Sequence, residues 1–555
     1  MTGPSGEPGA ANGEPGAASG EPGAASGEPA SRRARGDATP PADRGPGARR
    51  PGHPGSATRV ADVHPAGLVA QAAALAAGEC TATELVEAAV GRALASQRGL
   101  NAFRVVRADE ARREAQDADR RLRAGERAPL LGMPVVIKDD TDLAGHPTAF
   151  GCAGDFPDAA VDAEVVRRLR AAGAIVIGKT NTPELGQWPF TEGSAFGATR
   201  NPWDPRFTPG GSSGGTAAAV SAGIVAGGIG SDGAGSVRIP AAWCHLVGIK
   251  PQRGRVSNWP ESDAFYGLTT HGVLARTVED AATLLDAVAG PHPADRHRAG
   301  PLAEPLAAAA RRDPGRLRIG LSTRPPFSLL PTRLHDEVAD AVDRVAGVLR
   351  ALGHHVEPIE PAYGLIGTSF LPRSHRGLND WAGRVPDPDA LDPRTRQNCR
   401  SGGRIPRAAL RFALRSERWW ARRVGALFSR VDLVLAPTTA SPPLPVGAAD
   451  GRGGLATDRL VVGACPYAWP WNVLGWPALN VPAGLTAAGL PVGAQLLGPA
   501  DSEPVLVSLA AQLQAVEHWD VRRPPGWLGP GGPAGRAGGG RDGAGHAGTD
   551  QADRP

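Results

Sequence analysis

The fold class of this 555-residue chain is decided by two short apolar runs, Met133-Pro-Val-Val-Ile137 and Ala174-Ile-Val-Ile-Gly178. Each run has the length and the branched apolar residues that are typical of a strand buried on both faces. Residues 161–172 lie between the two runs and carry apolar side chains at helical spacing. A strand, a helix and a second strand in succession predict a sheet that is covered by helices.

The same alternation of helices and strands continues in both directions along the chain. Helical spacing runs from Leu68 through Leu94, and a capping-box signature at Thr81-Ala-Thr-Glu84 marks the start of a second helix within it. The other predicted elements are strands at residues 317–321, 431–435, 478–481 and 492–497 and helices at residues 334–352 and 504–516. We therefore predict one large α/β domain over residues 59–527, with a central mixed β-sheet covered by helices on both faces.

Two other segments have helical patterns. Residues 214–230 form the most apolar window of the chain and, being rich in Ala and Gly, predict a buried, closely packed helix. Residues 361–430 are helical and less regular, and they contain Trp381, Trp419 and Trp420. This second segment would form either a cap over a substrate pocket or an ordinary part of the core.

Both ends of the chain are rich in Gly and Pro. Residues 6–29 repeat the sequence GEPGAA(S/N) every seven residues. Collagen requires Gly at every third position, and Pro and Gly in each repeat exclude a heptad coiled coil. Such segments bury too little apolar area to offset the entropy of ordering them. We predict disordered tails at residues 1–58 and 528–555.

Charge and composition exclude several classes of function. Lys and Arg total 60 and Asp and Glu total 56, which gives a net charge of +4 without the basic, aromatic-rich face of a nucleic-acid binder. No signal peptide is recognisable, and no apolar window reaches the ~20 residues of a membrane span. The five cysteines form no CxxC pair, and no HExxH sequence occurs. We predict a cytoplasmic protein with no metal and no cofactor.

Two familiar motifs occur in contexts that do not fit them. Gly228-Ile-Gly-Ser-Asp-Gly233 matches the dinucleotide-binding GxGxxG, but a helix is predicted before it and Arg253-Gly-Arg255 stands where an acidic residue is needed. Gly210-Gly-Ser-Ser-Gly214 matches the GxSxG nucleophile elbow, but residues 201–209 contain three prolines and cannot form the preceding central strand. We expect neither nucleotide binding nor an α/β-hydrolase fold.

Lysine is scarce, because only Lys138, Lys179 and Lys250 occur among the 60 basic residues. Arginine stays protonated at any working pH, whereas a buried lysine can lose its proton and act as a base. Lys138 ends the first apolar strand, where desolvation would lower the pKa of its amino group. Gly- and Ser-rich loops follow at residues 210–215 and 230–236, and the N–H groups of the second loop can converge on an oxyanion.

Five motifs, in this order, resemble the amidase signature family. They are Leu131-Gly-Met-Pro-Val-Val-Ile-Lys-Asp139, Gly178-Lys-Thr-Asn-Thr-Pro-Glu-Leu-Gly186, Asn201-Pro-Trp-Asp-Pro205, Gly210-Gly-Ser-Ser-Gly-Gly215 and Gly230-Ser-Asp-Gly-Ala-Gly-Ser-Val-Arg-Ile-Pro240. Two later segments, Gly272-Val-Leu-Ala-Arg-Thr-Val-Glu-Asp280 and Pro491-Val-Gly-Ala-Gln-Leu-Leu-Gly498, also look like that family. The resemblance covers residues 62–520 and implies the amidase signature fold.

The resemblance also implies the roles of individual residues. Ser236 would be the nucleophile, Ser212 the bridging serine after a cis peptide bond, and Lys138 the base. The backbone N–H groups of Gly233, Ala234, Gly235 and Ser236 would form the oxyanion hole, with Ser213, Asp232 and Arg238 in support. The family usually has Asp-Thr-Gly-Gly-Ser where this chain has Asp232-Gly-Ala-Gly-Ser236, so a threonine hydroxyl is lost and a methyl group is added.

The expected function is hydrolysis of a small-molecule carboxylic amide to acid and ammonia or amine through an acyl-enzyme. Two alternatives stay open, a glutaminase subunit of a tRNA-dependent amidotransferase and a catalytically impaired family member. The predicted partners are the amide substrate and a second copy in a homodimer, with no nucleic acid and no membrane span. Trp469, Trp471 and Trp476 either line a pocket for an apolar amide or belong to the core.

Overall fold

The predicted strand–helix–strand unit lies in one half of a mixed sheet in the computed structural model, which describes residues 67–326 and 332–528. The strands are β1 (Phe103–Val106), β2 (Pro134–Lys138), β3 (Ile175–Thr180), β4 (Glu192–Gly193), β5 (Gly197–Ala198), β6 (Gly227–Asp232), β7 (Val247–Lys250), β8 (Thr270–Ala275), β9 (Arg318–Leu321), β10 (His355–Pro358), β11 (Leu433–Pro437), β12 (Ala478–Leu485) and β13 (Pro491–Leu497). Within the described residues, eleven of them form one sheet in the order β1-β3-β2-β6-β8-β7-β12-β13-β11-β9-β10, and β4 pairs with β5.

Fifteen α-helices connect and cover these strands in the described ranges. They are α1 (Leu68–Ala77), α2 (Ala82–Leu100), α3 (Ala108–Arg123), α4 (Glu164–Ala171), α5 (Gly214–Ser221), α6 (Arg238–Trp243), α7 (Val278–Val288), α8 (Leu306–Ala309), α9 (Asp336–Ala351), α10 (Gly367–Ala382), α11 (Pro393–Gly403), α12 (Arg407–Gly425), α13 (Gly454–Ala464), α14 (Pro470–Leu474) and α15 (Glu503–Glu517). Short 3-10 helices occur at Glu184–Gly186, Pro388–Ala390, Ala426–Ser429 and Trp519–Val521.

The sheet is mixed and its central strands are covered on both faces. Strand β2 runs parallel to β3 and β6, whereas β8 is antiparallel to both β6 and β7. Every residue of β2, β3, β6, β7 and β8 is buried. Because a strand buried at every position needs a layer on each face, the single α/β domain with a helix-covered mixed sheet is confirmed.

The long helical window before the first strand divides where its capping box predicts. Thr81 is the N-cap of α2, its side chain accepts from the Glu84 N–H, and the Glu84 side chain accepts from the Thr81 N–H. The other predicted strands and helices are present within a few residues of their predicted ends. The predicted tails lie outside the described residues, apart from Leu528, and the limits of the domain at residues 59 and 527 stay a prediction.

The prediction of one buried helix over residues 214–230 is wrong. Helix α5 ends at Ser221, and residues 227–232 form strand β6 in the middle of the sheet. A Cβ atom on Gly228 would lie 2.7 Å from Val136 Cγ2 and 2.8 Å from Thr216 Cγ2. Close packing of α5 and β2 therefore requires glycine in this strand, although glycine is unfavourable for an isolated strand.

Candidate active site

The carboxyl ends of two parallel strands position the first site residues. Strand β2 ends at Lys138 and strand β6 ends at Asp232, and Ile137 pairs with Ile229 between them. Parallel neighbours end at the same edge of the sheet, so Lys138 lies beside the last residues of β6. Its side chain is 1% exposed, and its Nζ atom donates a 2.7 Å hydrogen bond to Ser231 Oγ.

Ser212 approaches the same amino group from the start of helix α5. The Gly211–Ser212 peptide bond is cis, and Lys138 Nζ donates to Ser212 Oγ over 2.7 Å. A Cβ atom on Gly186 would lie 3.3 Å from Ser212 Oγ and 3.7 Å from Lys138 Nζ. A glycine at this position leaves room for the two side chains to meet.

Ser236 lies in the loop between β6 and α6 and is half-buried. Its carbonyl oxygen accepts from the Ser213 N–H over 3.1 Å, which fixes this loop to the turn that carries Ser212. Ser213 also binds β6, because its hydroxyl donates to the Ser231 carbonyl oxygen over 3.2 Å. Lys138, Ser212 and Ser236 line one cavity of about 70 Å³.

Asp140 and Ser231 belong to the same cluster and were missed by sequence reasoning. Asp140 Oδ2 lies 2.9 Å from Lys138 Nζ and accepts a 2.5 Å hydrogen bond from Ser231 Oγ. Burial raises the pKa of the Asp140 carboxyl, but the charge of Lys138 and the bond from Ser231 outweigh it and hold the pKa below its usual value. The position of Asp140, two residues after Lys138, is the one signal that pointed to it.

A buried ion pair supports the loop that carries Ser236. Asp232 and Arg238 are each fully buried, and their side chains form two 3.0 Å hydrogen bonds. Burial of the Asp232 carboxyl opposes its ionisation, but Arg238 reverses this effect and holds the pKa well below its usual range. Arg238 also donates to Asn472 Oδ1 and Gln495 Oε1. The ion pair is therefore buried inside the protein, and its two residues lie before and after Ser236 in the chain.

The four backbone N–H groups of this loop have different surroundings. The Gly235 N–H donates to Asp232 Oδ1 over 2.8 Å, so this group is engaged inside the protein. Gly233, Ala234 and Ser236 line the cavity, and Gly235 is not among its lining residues. Gly235 has φ +116°, and a Cβ atom there would lie 2.6 Å from Ala468 Cβ, so only glycine fits this position.

Part of the cavity wall is apolar. It is formed by Leu185, Phe265, Leu268, Phe370, Leu378 and Trp381, and the polar residues Gln187, Thr269 and Ser374 lie among them. Phe370, Leu378 and Trp381 come from helix α10, within the segment predicted as cap or core. Trp469, Trp471 and Trp476 pack in a hydrophobic cluster instead and do not line this cavity.

The other two lysines are buried away from the cavity. Lys179 Nζ lies 2.9 Å from Asp139 Oδ1, and Lys250 Nζ donates to the Pro251 carbonyl oxygen over 2.9 Å. Burial, together with the charge of Arg238, lowers the pKa of Lys250 to about 7. All three lysines are therefore buried, and of the three only Lys138 lies beside the serines.

The described residues contain no cluster of three or more His, Cys, Asp or Glu side chains that could hold a metal ion. Their five cysteines are all buried and unpaired. Across the same ranges, no helix has both the length and the apolar character needed to cross a membrane.

Lys138 and Ser212 are buried together, and the half-buried Ser236 lines the same cavity. A family model described as Amidase matches residues 84–507. The chain belongs to the amidase family. AmiA2 of Mycobacterium tuberculosis, a candidate amidase, is 54% identical over 454 residues, which cover 82% of this chain and 93% of that protein.

Solved structures of amidases share the fold. The structure of a 6-aminohexanoate cyclic dimer hydrolase matches with a TM-score of 0.75 and 32% identity, covering 83% of this chain and 99% of that one. The peptide amidase of Stenotrophomonas maltophilia matches with a TM-score of 0.70 and 30% identity over 85% and 99% of the two chains. This amidase is a hydrolase that acts on carbon–nitrogen bonds.

Proposed function

We propose that this amidase cleaves its substrate through a relay of Ser236, Ser212 and Lys138. The observation that carries the proposal is the 2.7 Å hydrogen bond between Lys138 Nζ and Ser212 Oγ, in the wall of the cavity that Ser236 also lines. A neutral Lys138 amino group accepts a proton from Ser212, which accepts one from Ser236. This transfer activates a serine that is a weak nucleophile by itself.

The reaction has two halves. In the first, Ser236 Oγ bonds to the amide carbon, the carbon–nitrogen bond breaks, and the relayed proton leaves Lys138 through Ser212 to the amine. In the second, water bonds to the acyl carbon and gives a proton to the relay, the ester bond between that carbon and Ser236 Oγ breaks, the relay returns the proton to Ser236 Oγ, and the acid departs. Asp140 and Ser231 act as positioning residues, because both bond to Lys138 and keep its amino group in line with Ser212.

The oxyanion of each tetrahedral intermediate would bind to backbone N–H groups of the loop after β6. Because the Gly235 N–H donates to Asp232, this proposal relies on Gly233, Ala234 and Ser236. Each well-placed donor contributes about 3–4 kcal/mol of transition-state stabilisation. Asp232 and Arg238 support this loop from the protein interior and would not touch the substrate.

The cavity wall favours an amide that carries an apolar or aromatic group. Phe265, Phe370 and Trp381 are the aromatic residues of this wall, and we propose that residues 361–430 act as a cap over the substrate. The only charged lining residues within the described ranges are Lys138 and Asp140, and these pair with each other. The α-amino and α-carboxylate groups of glutamine would have no free charged partner there, so the glutaminase alternative has less support.

Two further predictions remain part of the proposal. A cytoplasmic location is supported by the five unpaired, buried cysteines, since a reducing compartment keeps thiols in this form.

The predicted homodimer can be checked by light scattering, where twice the monomer mass of 56.9 kDa is expected.

The proposal is tested by Ser236→Ala, assayed with phenylacetamide, benzamide, acetamide and glutamine. We expect turnover of the aryl amides to fall at least 10³-fold, because the nucleophile is lost. Ser374→Ala is the matched control, since Ser374 lines the same cavity outside the relay and its loss should leave turnover within tenfold. Turnover by Ser236→Ala equal to that of the wild type would refute the nucleophile assignment.

A further inference from the structure

Thr269 lies against the loop that would bind the oxyanion. A Cβ atom built on Gly233 would lie 2.6 Å from Thr269 Oγ1, closer than any side chain can approach. The φ of Gly233 is not in the left-handed region, so a side chain here would be opposed by the Thr269 hydroxyl and not by backbone conformation. The Thr269 hydroxyl thus fills the place that the side chain of any other residue at position 233 would occupy.

The Thr269 backbone is fixed while its hydroxyl is left unpaired. Its carbonyl oxygen accepts from Asn258 Nδ2 over 2.8 Å, its N–H donates to the Ala264 carbonyl oxygen, and strand β8 begins at the next residue. No described residue forms a hydrogen bond with Thr269 Oγ1, and the side chain is half-buried. A hydroxyl group in this state can donate to a bound molecule without breaking an internal bond.

Thr269 also lies where two cavities adjoin. It lines the main cavity with Ser236, and it lines a second cavity of about 40 Å³ with Asp140 and Ser231. Asp140 and Ser231 line both cavities as well, so Thr269 belongs to the wall that the two cavities share. Its Oγ1 atom lies beside Gly233, whose N–H is one of the proposed oxyanion donors.

We propose that Thr269 is a further catalytic residue, whose hydroxyl donates a hydrogen bond to the oxyanion that forms when Ser236 attacks the amide. The inference rests on the proposed function of Ser236. It also accounts for the engaged Gly235 N–H, because a side-chain donor replaces a backbone donor that is bound to Asp232. Preorganised donors of this kind act on the transition state more than on the bound substrate.

The test compares Thr269→Val, which keeps the shape and removes the donor, with Thr269→Ser, which keeps the donor. For a substrate that the wild type hydrolyses, we expect kcat of Thr269→Val to fall about 10²-fold with KM within threefold. Thr269→Ser should retain kcat within about fivefold. Equal thermal midpoints for the three proteins establish that folding is unaffected.

A second readout uses the aldehyde analogue of that substrate. Ser236 Oγ adds to the aldehyde carbon, its proton passes through Ser212 to Lys138, and the former carbonyl oxygen becomes the oxyanion. Inhibition by the aldehyde should weaken in Thr269→Val by about the same factor as kcat/KM, while Thr269→Ser is inhibited like the wild type. Failure of the proposed function is distinguishable, because the aldehyde would then inhibit Ser236→Ala as well as it inhibits the wild type.

Three results would overturn the role of Thr269 alone. The first is an unchanged kcat in Thr269→Val, and the second is a rise in KM with kcat intact, which would assign Thr269 to substrate binding. The third is a loss of kcat in Thr269→Ser as large as in Thr269→Val, because shape rather than the hydroxyl would then be responsible.

Discussion

Lys138 Nζ and Asp140 Oδ2 lie 2.9 Å apart at the buried end of strand β2, and both atoms bond to the hydroxyl of Ser231. The carboxylate balances the positive charge that Lys138 gains when the proposed relay delivers a proton to it, at a place where almost no solvent reaches either group. The amino group is therefore held on three sides, by Asp140, Ser231 and Ser212.

Replacing Asp140 with Asn should destabilise the protein and impair turnover. Breaking a buried pair leaves an uncompensated charge and costs about 3–5 kcal/mol of unfolding free energy, which urea unfolding measures. The matched control is Asp117→Asn, because Asp117 pairs with Arg120 on the surface of helix α3, where both side chains are more than half exposed. An Asp140→Asn protein as stable as the Asp117→Asn protein would show that the pair does not hold the site.

Replacing Lys138 with Arg tests the base. The positive charge persists but a guanidinium does not release its proton, so we expect kcat to fall about 10²–10⁴-fold on an aryl amide. Lys179→Arg is the matched control, because Lys179 is equally buried and lies outside the cavity. Activity in Lys138→Arg at or above that of Lys179→Arg would contradict the base role, provided that thermal melting shows both proteins folded.

Removing the Phe370 ring should alter substrate preference. Phe370 contributes to the apolar wall, so Phe370→Ala is expected to lower kcat/KM for phenylacetamide about 10–100-fold and to change it little for acetamide. Phe412→Ala removes the same ring from helix α12, where it is 62% exposed, and serves as the control. An equal loss on both amides would argue that the ring supports the fold and not the substrate.

The pH dependence of stability should carry a signature of Asp280. This carboxyl lies in helix α7 and accepts from the Val69 N–H over 3.0 Å, and burial raises its pKa to about 6. A raised carboxyl pKa adds stability that is complete below about pH 4, the unfolded value, and is lost as the pH rises through 6.

The variant Asp280→Asn lacks this titration. Between pH 5 and pH 8 the wild type should lose about 1 kcal/mol of unfolding free energy relative to the variant, measured by urea unfolding at each pH. A difference between the two proteins that stays constant, or that moves in the opposite direction, would contradict the raised pKa.

Much of the fold followed from the sequence because local and tertiary signals agreed. The apolar runs of β2 and β3 and the capping box at Thr81 are local patterns, and each produced the element it predicts. Strand β6 did not follow, since Gly228 is required by the close approach of Val136 from strand β2 and Thr216 from helix α5. Packing of this kind has no local pattern.

Candidate site residues that lie in sequence motifs could be predicted. Residues that are recognised only by their contacts in the fold could not. Lys138, Ser212 and Ser236 could be selected from ordered motifs, and the structure brings them to one cavity. Asp140 could not be ranked above its neighbour Asp139, because only the fold directs one carboxylate to Lys138 and the other to Lys179. The aromatic lining likewise comes from α10 rather than from the tryptophans near residue 470.

The central claim is that Ser236 is the nucleophile, and covalent labelling tests it most directly. The folded protein is treated with a fluorophosphonate, digested, and the modified serine is identified by mass spectrometry. We predict a single label on Ser236 in the wild type and a rate of labelling at least tenfold lower in Lys138→Arg, because the relay no longer activates the hydroxyl. A label on Ser212, Ser213 or Ser231 with Ser236 unmodified would contradict the account.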